Sequence, residues 1–337
     1  MAFTQVGSEL PAARNEAGAA GRSPVWRRPT ALFVALLALG WLLLYALYAA
    51  LPMVQSGAMI IYGAKFDHLV KRQMFAPGDR TRIMMFGNSK VVTGFHPGEF
   101  DVALGPGVRS YNLGLPGEPL FLPMLEAALA AGNVPTHVLL TIPWDERTEP
   151  PAPLAVLHDD NALINRLLPF RTFPRDFVLF AYNNRFRFGD GIRHATGERD
   201  MMVENRGWYF IKWQSHYLND RLPDDFTVPT DHPGQLDARK VPAASLVRDR
   251  LLQLATKYNF QVLLVPSYRR VGEFAPAPSA EAERDTAVSA APPVRVLGPD
   301  YWTYPASQFA DPVHLNPSGK SVYTAELAAL LRKHLAL

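Results

Sequence analysis

Hydrophobic positions fall along this chain in two different patterns. Residues 31–51 are an unbroken run of Ala, Leu, Val, Phe, Gly, Trp and Tyr, and no charged residue occurs between Arg28 and Lys65. As a helix, at ~1.5 Å per residue, this run covers the ~30 Å hydrocarbon layer of a bilayer. The apolar region of a cleaved signal peptide is shorter, roughly 7–15 residues, so the pattern predicts an uncleaved transmembrane helix over 31–54. The second pattern begins at Arg82. Apolar residues now come in short runs closed by Gly or Pro: 83–86 before Gly87, 110–113 before Gly114, 137–142 before Pro143 and 261–265 before Pro266. Short runs without polar alternation read as strands buried on both faces of a parallel sheet. Helical patterns separate and follow them at 121–131, 243–258 and 317–335, the last opening on Pro317, a favoured first helical residue. Strands alternating with helices predict an α/β fold with a parallel sheet.

The remaining segments complete a domain plan. Residues 1–30 form a tail, 31–54 the membrane helix, 55–80 a stalk, and 81–337 the α/β domain with insertions at about 145–240 and 275–293. The first insertion is loop-rich and carries Arg–aromatic clusters such as Arg185-Phe186-Arg187-Phe188. The second is low-complexity Ala and Pro.

Charge adds a direction. The overall balance is +3, of which the first 30 residues supply +2, from Arg14, Arg22, Arg27 and Arg28 against Glu9 and Glu16. Arg27 and Arg28 abut the apolar run, so the positive-inside rule predicts a cytoplasmic amino terminus. The chain then reads as a single-pass protein of a bacterial inner membrane, its main domain periplasmic or extracellular and the lipid bilayer its first partner. A net +3 is small for a nucleic-acid binder, and no nucleic-acid partner is expected. The stretch from Arg166 to Arg221 is more basic, with ten basic and six acidic residues, which suits an anionic polymer or merely a solvated surface. The absence of cysteine excludes disulfides, thiolate zinc sites, iron–sulfur clusters and cysteine nucleophiles. His194 and Glu198 share a helix face, but no third ligand accompanies them. Neither a metal site nor a cofactor is predicted.

Ligands of open α/β sheets gather at the carboxyl ends of the strands, and three polar segments fall there. Gly87-Asn88-Ser89-Lys90 follows the first strand, Asn112 to Gly117 the second, and Asp311-Pro312-Val313-His314 stands before the last helix. A serine hydroxyl needs a neighbouring base to act as a nucleophile, and histidine suits that work. A carboxylate on its other ring nitrogen fixes the tautomer, which Asp311, three residues before His314, could do. The N–H groups of Ser89 and Gly117 are the candidate oxyanion donors. Val91 breaks the G-x-S-x-G pattern of a nucleophile elbow. Asn112 and Trp144 beside this centre, with Trp208 and Trp213 in the aromatic segment 207–213, are candidate substrate contacts. Aromatic residues so placed suit core packing as well as sugar stacking.

These motifs resemble those of the SGNH (GDSL-like) hydrolases and acyltransferases. Gly87-Asn88-Ser89 is similar to their first block, with Asn88 in place of aspartate. Asn112-Leu113-Gly114-Leu115-Pro116-Gly117 is similar to the second, and Asp311-x-x-His314 to the last. The third block, Gly-x-Asn-Asp, has no counterpart; Thr141-Ile142-Pro143-Trp144-Asp145 stands in its place. One anchor followed by an exported domain resembles the membrane-anchored branch that acts on exopolysaccharide, alginate or teichoic acid. The resemblance implies a flavodoxin-like three-layer sandwich and a Ser89–His314–Asp311 triad. It also implies O-acyl transfer to a polysaccharide, with a multi-pass acyl-exporting membrane protein as partner. An anchored esterase with the same triad and a non-catalytic scaffold of a polysaccharide assembly complex are its alternatives.

Overall fold

The computed structural model describes residues 27–51, 54, 57–116, 121–141, 168, 170–210, 217–227, 246–272 and 294–335. The chain divides into two compact units, Met1–Ala50 and Leu51–Leu337. In the first, α1 (Arg27–Ala50) is a single helix. Its segment Pro29–Ala50 has a mean hydropathy of 2.3 and no side chain buried within the protein. It is long and apolar enough to cross a membrane, a test that a signal sequence near the amino terminus also passes.

In the second unit seven strands are described: β1 (Thr81–Phe86), β2 (Val108–Asn112), β3 (His137–Leu140), β4 (Gln261–Leu264), β5 (Ser267–Arg270), β6 (Val294–Val296) and β7 (Tyr301–Tyr304). Five make one sheet in the order β2-β1-β3-β4-β6, every neighbouring pair parallel. Each of the four short apolar runs supplies one of its strands. β5 and β7 pair separately, also in parallel. The order is that of doubly wound sheets in which the chain leaves β1 for β2 and then crosses back to β3. That reversal puts the switch point of the sheet, where ligands of such folds gather, at the carboxyl ends of β1 and β3.

Alternation along the strands divides the core into two. Met84, Phe86, Val138, Leu140, Val262 and Leu264 point to one face. They pack there with α2 (Gly57–Lys71), α5 (Leu122–Ala130) and α8 (Leu246–Tyr258). Ile83, Met85, Leu139 and Leu263 point to the other and meet α3 (Ser89–Gly94), α4 (Pro97–Leu104) and α9 (Pro317–Leu335). Strand side chains alternate faces, so strands apolar at every position require a helical layer on both sides. The architecture is three-layered for that reason.

Two parts of the domain plan change. The stretch predicted as a stalk, 55–80, contributes α2, whose Tyr62 and Leu69 are buried, followed by buried Met74 and Phe75. Lys65 lies on the buried side of the helix. The insertion at 145–240 is likewise tied to the sheet. It contains α6 (Phe173–Asn183) and α7 (Phe188–Glu204). Met202 and Tyr209 pack with Ile61 and Val92, and the Asn112 N–H at the end of edge strand β2 donates to Arg206 O at 2.9 Å. The insertion predicted at 275–293 lies outside the described residues.

Candidate functional site

The carboxyl ends of β2, β1 and β3 converge on Gly87. Leu115 N–H donates to Gly87 O at 2.8 Å and Leu113 N–H to Met85 O at 2.7 Å, so the chain leaving β2 runs beside the end of β1. A Cβ on Gly87 would collide with Thr141 Oγ1, at the end of β3, and with Val91. One on Gly114 would lie 2.8 Å from Val91 Cβ and Val92 N. A side chain at either position would run into Val91, and at Gly114 into the Val92 backbone nitrogen as well, so both positions favour glycine. Asn88 caps α3, its Oδ1 accepting from Lys90 N–H at 3.0 Å, which is the ordinary role of asparagine before a helix. Ser89 is therefore the first helical residue. It is half-buried, and among the described residues neither its N–H nor its Oγ has a hydrogen-bond partner.

Asp311 and His314 are joined as their spacing suggests. Asp311 Oδ1 accepts from the Val313 and His314 N–H groups, both at 2.8 Å, and Oδ2 lies 2.8 Å from His314 Nδ1. The turn is closed by a bridge between Phe309 and Leu315 and by Ala310 N–H donating to His314 O at 2.8 Å. Asn316 then caps α9, accepting from Gly319 N–H at 3.0 Å, with Pro317 as the first helical residue. Burial works to raise the Asp311 carboxyl. The hydrogen bond and charge of His314, with the two backbone N–H groups, outweigh it and hold the group below 3.8. With Nδ1–H facing a carboxylate, Nε2 of the neutral ring is the acceptor. That atom is buried and, among the described residues, has no hydrogen-bond partner.

Ser89 and His314 sit on the same face of the sheet. Val91, two residues after Ser89, and Leu315, adjacent to His314, belong to one core cluster. α3 packs against both α9 and β5. Tyr268 of β5 links them further, its hydroxyl 3.1 Å from Thr93 Oγ1 and its ring 6.0 Å from Phe309. Ser89 Oγ and His314 Nε2 are not hydrogen-bonded to each other. The structure assembles the Asp311–His314 pair and leaves the contact with Ser89 unmade.

Other predicted residues are placed differently. Gly117, Trp144 and Trp213 lie outside the described residues. Asn112 is fully buried. Its amide donates to Val91 O and Phe95 O, both at 2.7 Å, and its Oδ1 accepts from Gly114 N–H and Lys65 Nζ, both at 3.1 Å. Those bonds terminate α3 and shape the loop after β2, so its side chain is not offered to a substrate. Trp208 is half-buried, with Nε1–H donating to Thr93 O at 2.8 Å and its ring 4.9 Å from His96 and 5.2 Å from Lys320 Nζ. It anchors the first insertion rather than standing free as a platform. His194 Nε2 is 2.9 Å from Glu198 Oε1, which also accepts from the Tyr209 hydroxyl. Among the described residues no group of three or more potential ligands stands together.

Sequence reasoning missed the role of α2 beside the loop after β2. Lys65 Nζ donates to Gly114 O at 2.6 Å as well as to Asn112, and the Tyr62 hydroxyl donates to Pro116 O at 2.6 Å. Both side chains brace the loop that leads toward Gly117. Burial drives the Lys65 ammonium well below 10.5. The only signal was the spacing of Ile61, Tyr62, Lys65 and Leu69 on one helical face. A shallow pocket of about 10 Å³ is lined by Lys65, His68, Tyr111, Asn112, Met202 and Arg206 among others. It does not reach Ser89 or His314.

No protein-family model matches the chain. No curated protein and no solved structure matches it either.

Proposed function

We propose that the chain is a membrane-anchored, SGNH-like serine acyltransferase acting on the hydroxyl groups of a cell-surface or secreted polysaccharide. In this reading α1 anchors the protein in a bacterial inner membrane, with the amino terminus cytoplasmic and the α/β unit outside. The observation that carries the chemistry is the Asp311–His314 pair, 2.8 Å apart, whose Nε2 is buried and has no hydrogen-bond partner among the described residues, on the sheet face where Ser89 opens α3.

Ser89 Oγ attacks the ester carbonyl of an acyl donor while His314 Nε2 takes its proton. Asp311 holds the ring and stabilises the imidazolium. The free N–H of Ser89, with that of Gly117, faces the oxyanion. Collapse expels the donor alcohol, which recovers the proton from His314. A polysaccharide hydroxyl then attacks the acyl-serine ester by the same steps in reverse. Hydrolysis by the same groups differs only in using water as acceptor. The anchor favours transfer, because it keeps the site beside a membrane-supplied donor, such as an acyl-exporting multi-pass protein would provide.

A second reading is a non-catalytic SGNH-like scaffold of a polysaccharide assembly complex. The missing hydrogen bond between Ser89 and His314 favours it, although such bonds often tighten only in the substrate complex. Incubating the full chain with a chromogenic acetyl ester and a serine-directed sulfonyl fluoride separates the readings. The enzyme reading expects turnover and labelling at Ser89, both abolished in His314→Ala. A folded protein with neither is the scaffold.

A further inference from the structure

The outward face of α6 is apolar where a domain in water would be polar. Its inner face is set by Phe173 and Asp176, which are buried, and by half-buried Phe180 and Asn184. The opposite side presents Arg175, Val178, Leu179 and Tyr182 at helical spacing. Val178 is 65% exposed, Leu179 52% and Tyr182 64%, and Phe186 in the following turn is 86% exposed. Surface helices of globular proteins normally turn charged residues to that side. Eleven residues are too few to cross a bilayer.

Cationic groups surround this patch. Between 171 and 193 stand Arg171, Arg175, Arg185, Arg187 and Arg193, against Asp176 and Asp190. Asp176 is paired with Arg175 and Asp190 with Arg193. Among the described residues Arg185 and Arg187 have no carboxylate partner. Arg185 instead lies over the rings of Tyr182 and Phe186, at 4.6 and 4.7 Å.

We infer that the outer face of α6 and the turn after it form a bilayer-docking surface that takes anionic lipid headgroups. Apolar and aromatic side chains ringed by arginine fit the boundary between headgroups and acyl chains. Protein–protein interfaces, in contrast, are depleted of charge at their centre, and a second copy would meet its own excess of positive charge. The presence of a bilayer beside the domain rests on reading α1 as an anchor; the docking face is argued from its own residues.

The test uses the full chain reconstituted in vesicles of phosphatidylcholine and phosphatidylglycerol. The protein has no cysteine, so Leu179→Cys, Leu39→Cys and Val102→Cys each carry one thiol for an environment-sensitive fluorophore. Val102, 83% exposed on α4, is the aqueous control. The proposal expects the label at 179 to be quenched by lipid-attached quenchers and protected from aqueous ones, opposite to the label at 102. Replacing Arg185 and Arg187 by Gln should lower the docked-to-undocked ratio at 179 about 30-fold, the usual contribution of two basic residues at an anionic surface. A label at 179 quenched like that at 102, or shielded from both quenchers as in a protein contact, overturns the docking surface. The label at 39 reports separately on the anchor, so either idea can fail while the other stands.

Discussion

Lys65 offers a quantitative test of how the loop after β2 is held. The side chain is 2% exposed, and its ammonium meets only neutral acceptors, Asn112 Oδ1 at 3.1 Å and Gly114 O at 2.6 Å. No carboxylate is paired with it among the described residues. Burial therefore lowers its pKa well below 10.5, while in the unfolded chain it titrates near that value. Between the two values the unfolded state binds more protons than the folded one. Stability consequently rises with pH across that window, by up to about 1.4 kcal/mol per pH unit for one group. Lys65→Met removes the titration and keeps most of the volume. It also leaves Gly114 O without its donor, at a cost of about 1–3 kcal/mol, whereas Asn112 Oδ1 keeps the Gly114 N–H. The two effects oppose each other where the ammonium is charged, and only the second remains near the top of the window. Urea unfolding of both proteins, followed by tryptophan fluorescence from about pH 7 to about pH 10, measures the difference directly. The wild-type advantage should grow with pH and reach about 1–3 kcal/mol at the alkaline end. A difference that stays flat or shrinks as pH rises would refute the claim that the ammonium is desolvated.

Three further outcomes are expected. Burial pulls His137, at the start of β3, down from 6.5 to about 4. The unfolded chain therefore takes up a proton first as pH falls, and stability present above 6.5 is lost toward 4; thermal unfolding of His137→Gln should lack that slope. Gly114→Ala places a methyl 2.8 Å from Val91 Cβ and Val92 N, so chemical denaturation should show a loss of about 1–3 kcal/mol, and an unchanged midpoint would contradict the packing at the strand ends. Asp311→Asn removes the acceptor of His314 Nδ1 and should cost about 1 kcal/mol at neutral pH, modest because the carboxylate is partly open to water. The folded pKa of Asp311 is depressed, so its contribution is present above 3.8 and lost as pH falls through the lower folded value; stability curves that stay parallel into acid would argue against the pair.

What the sequence by itself determined was local. Apolar runs of four to six residues closed by Gly or Pro specify buried strands, and all four such runs became strands of the parallel sheet. The Asp311–His314 pair was legible for the same reason: three residues of turn suffice to bring carboxylate and ring together. The apolar length of α1 required no partner to be recognised. Tertiary structure alone decided the partnerships across long stretches of chain. Lys65 falls in the stretch predicted as a stalk, yet its acceptors Asn112 and Gly114 lie 47 and 49 residues away. Asn112 looked like a substrate contact and is consumed by carbonyls of α3 some 20 residues earlier. Trp208 suited sugar stacking and core packing alike, and it hydrogen-bonds Thr93, 115 residues distant. Residue type and spacing say what a side chain can bond, but its buried partner is chosen by the packing of elements that sequence separation hides.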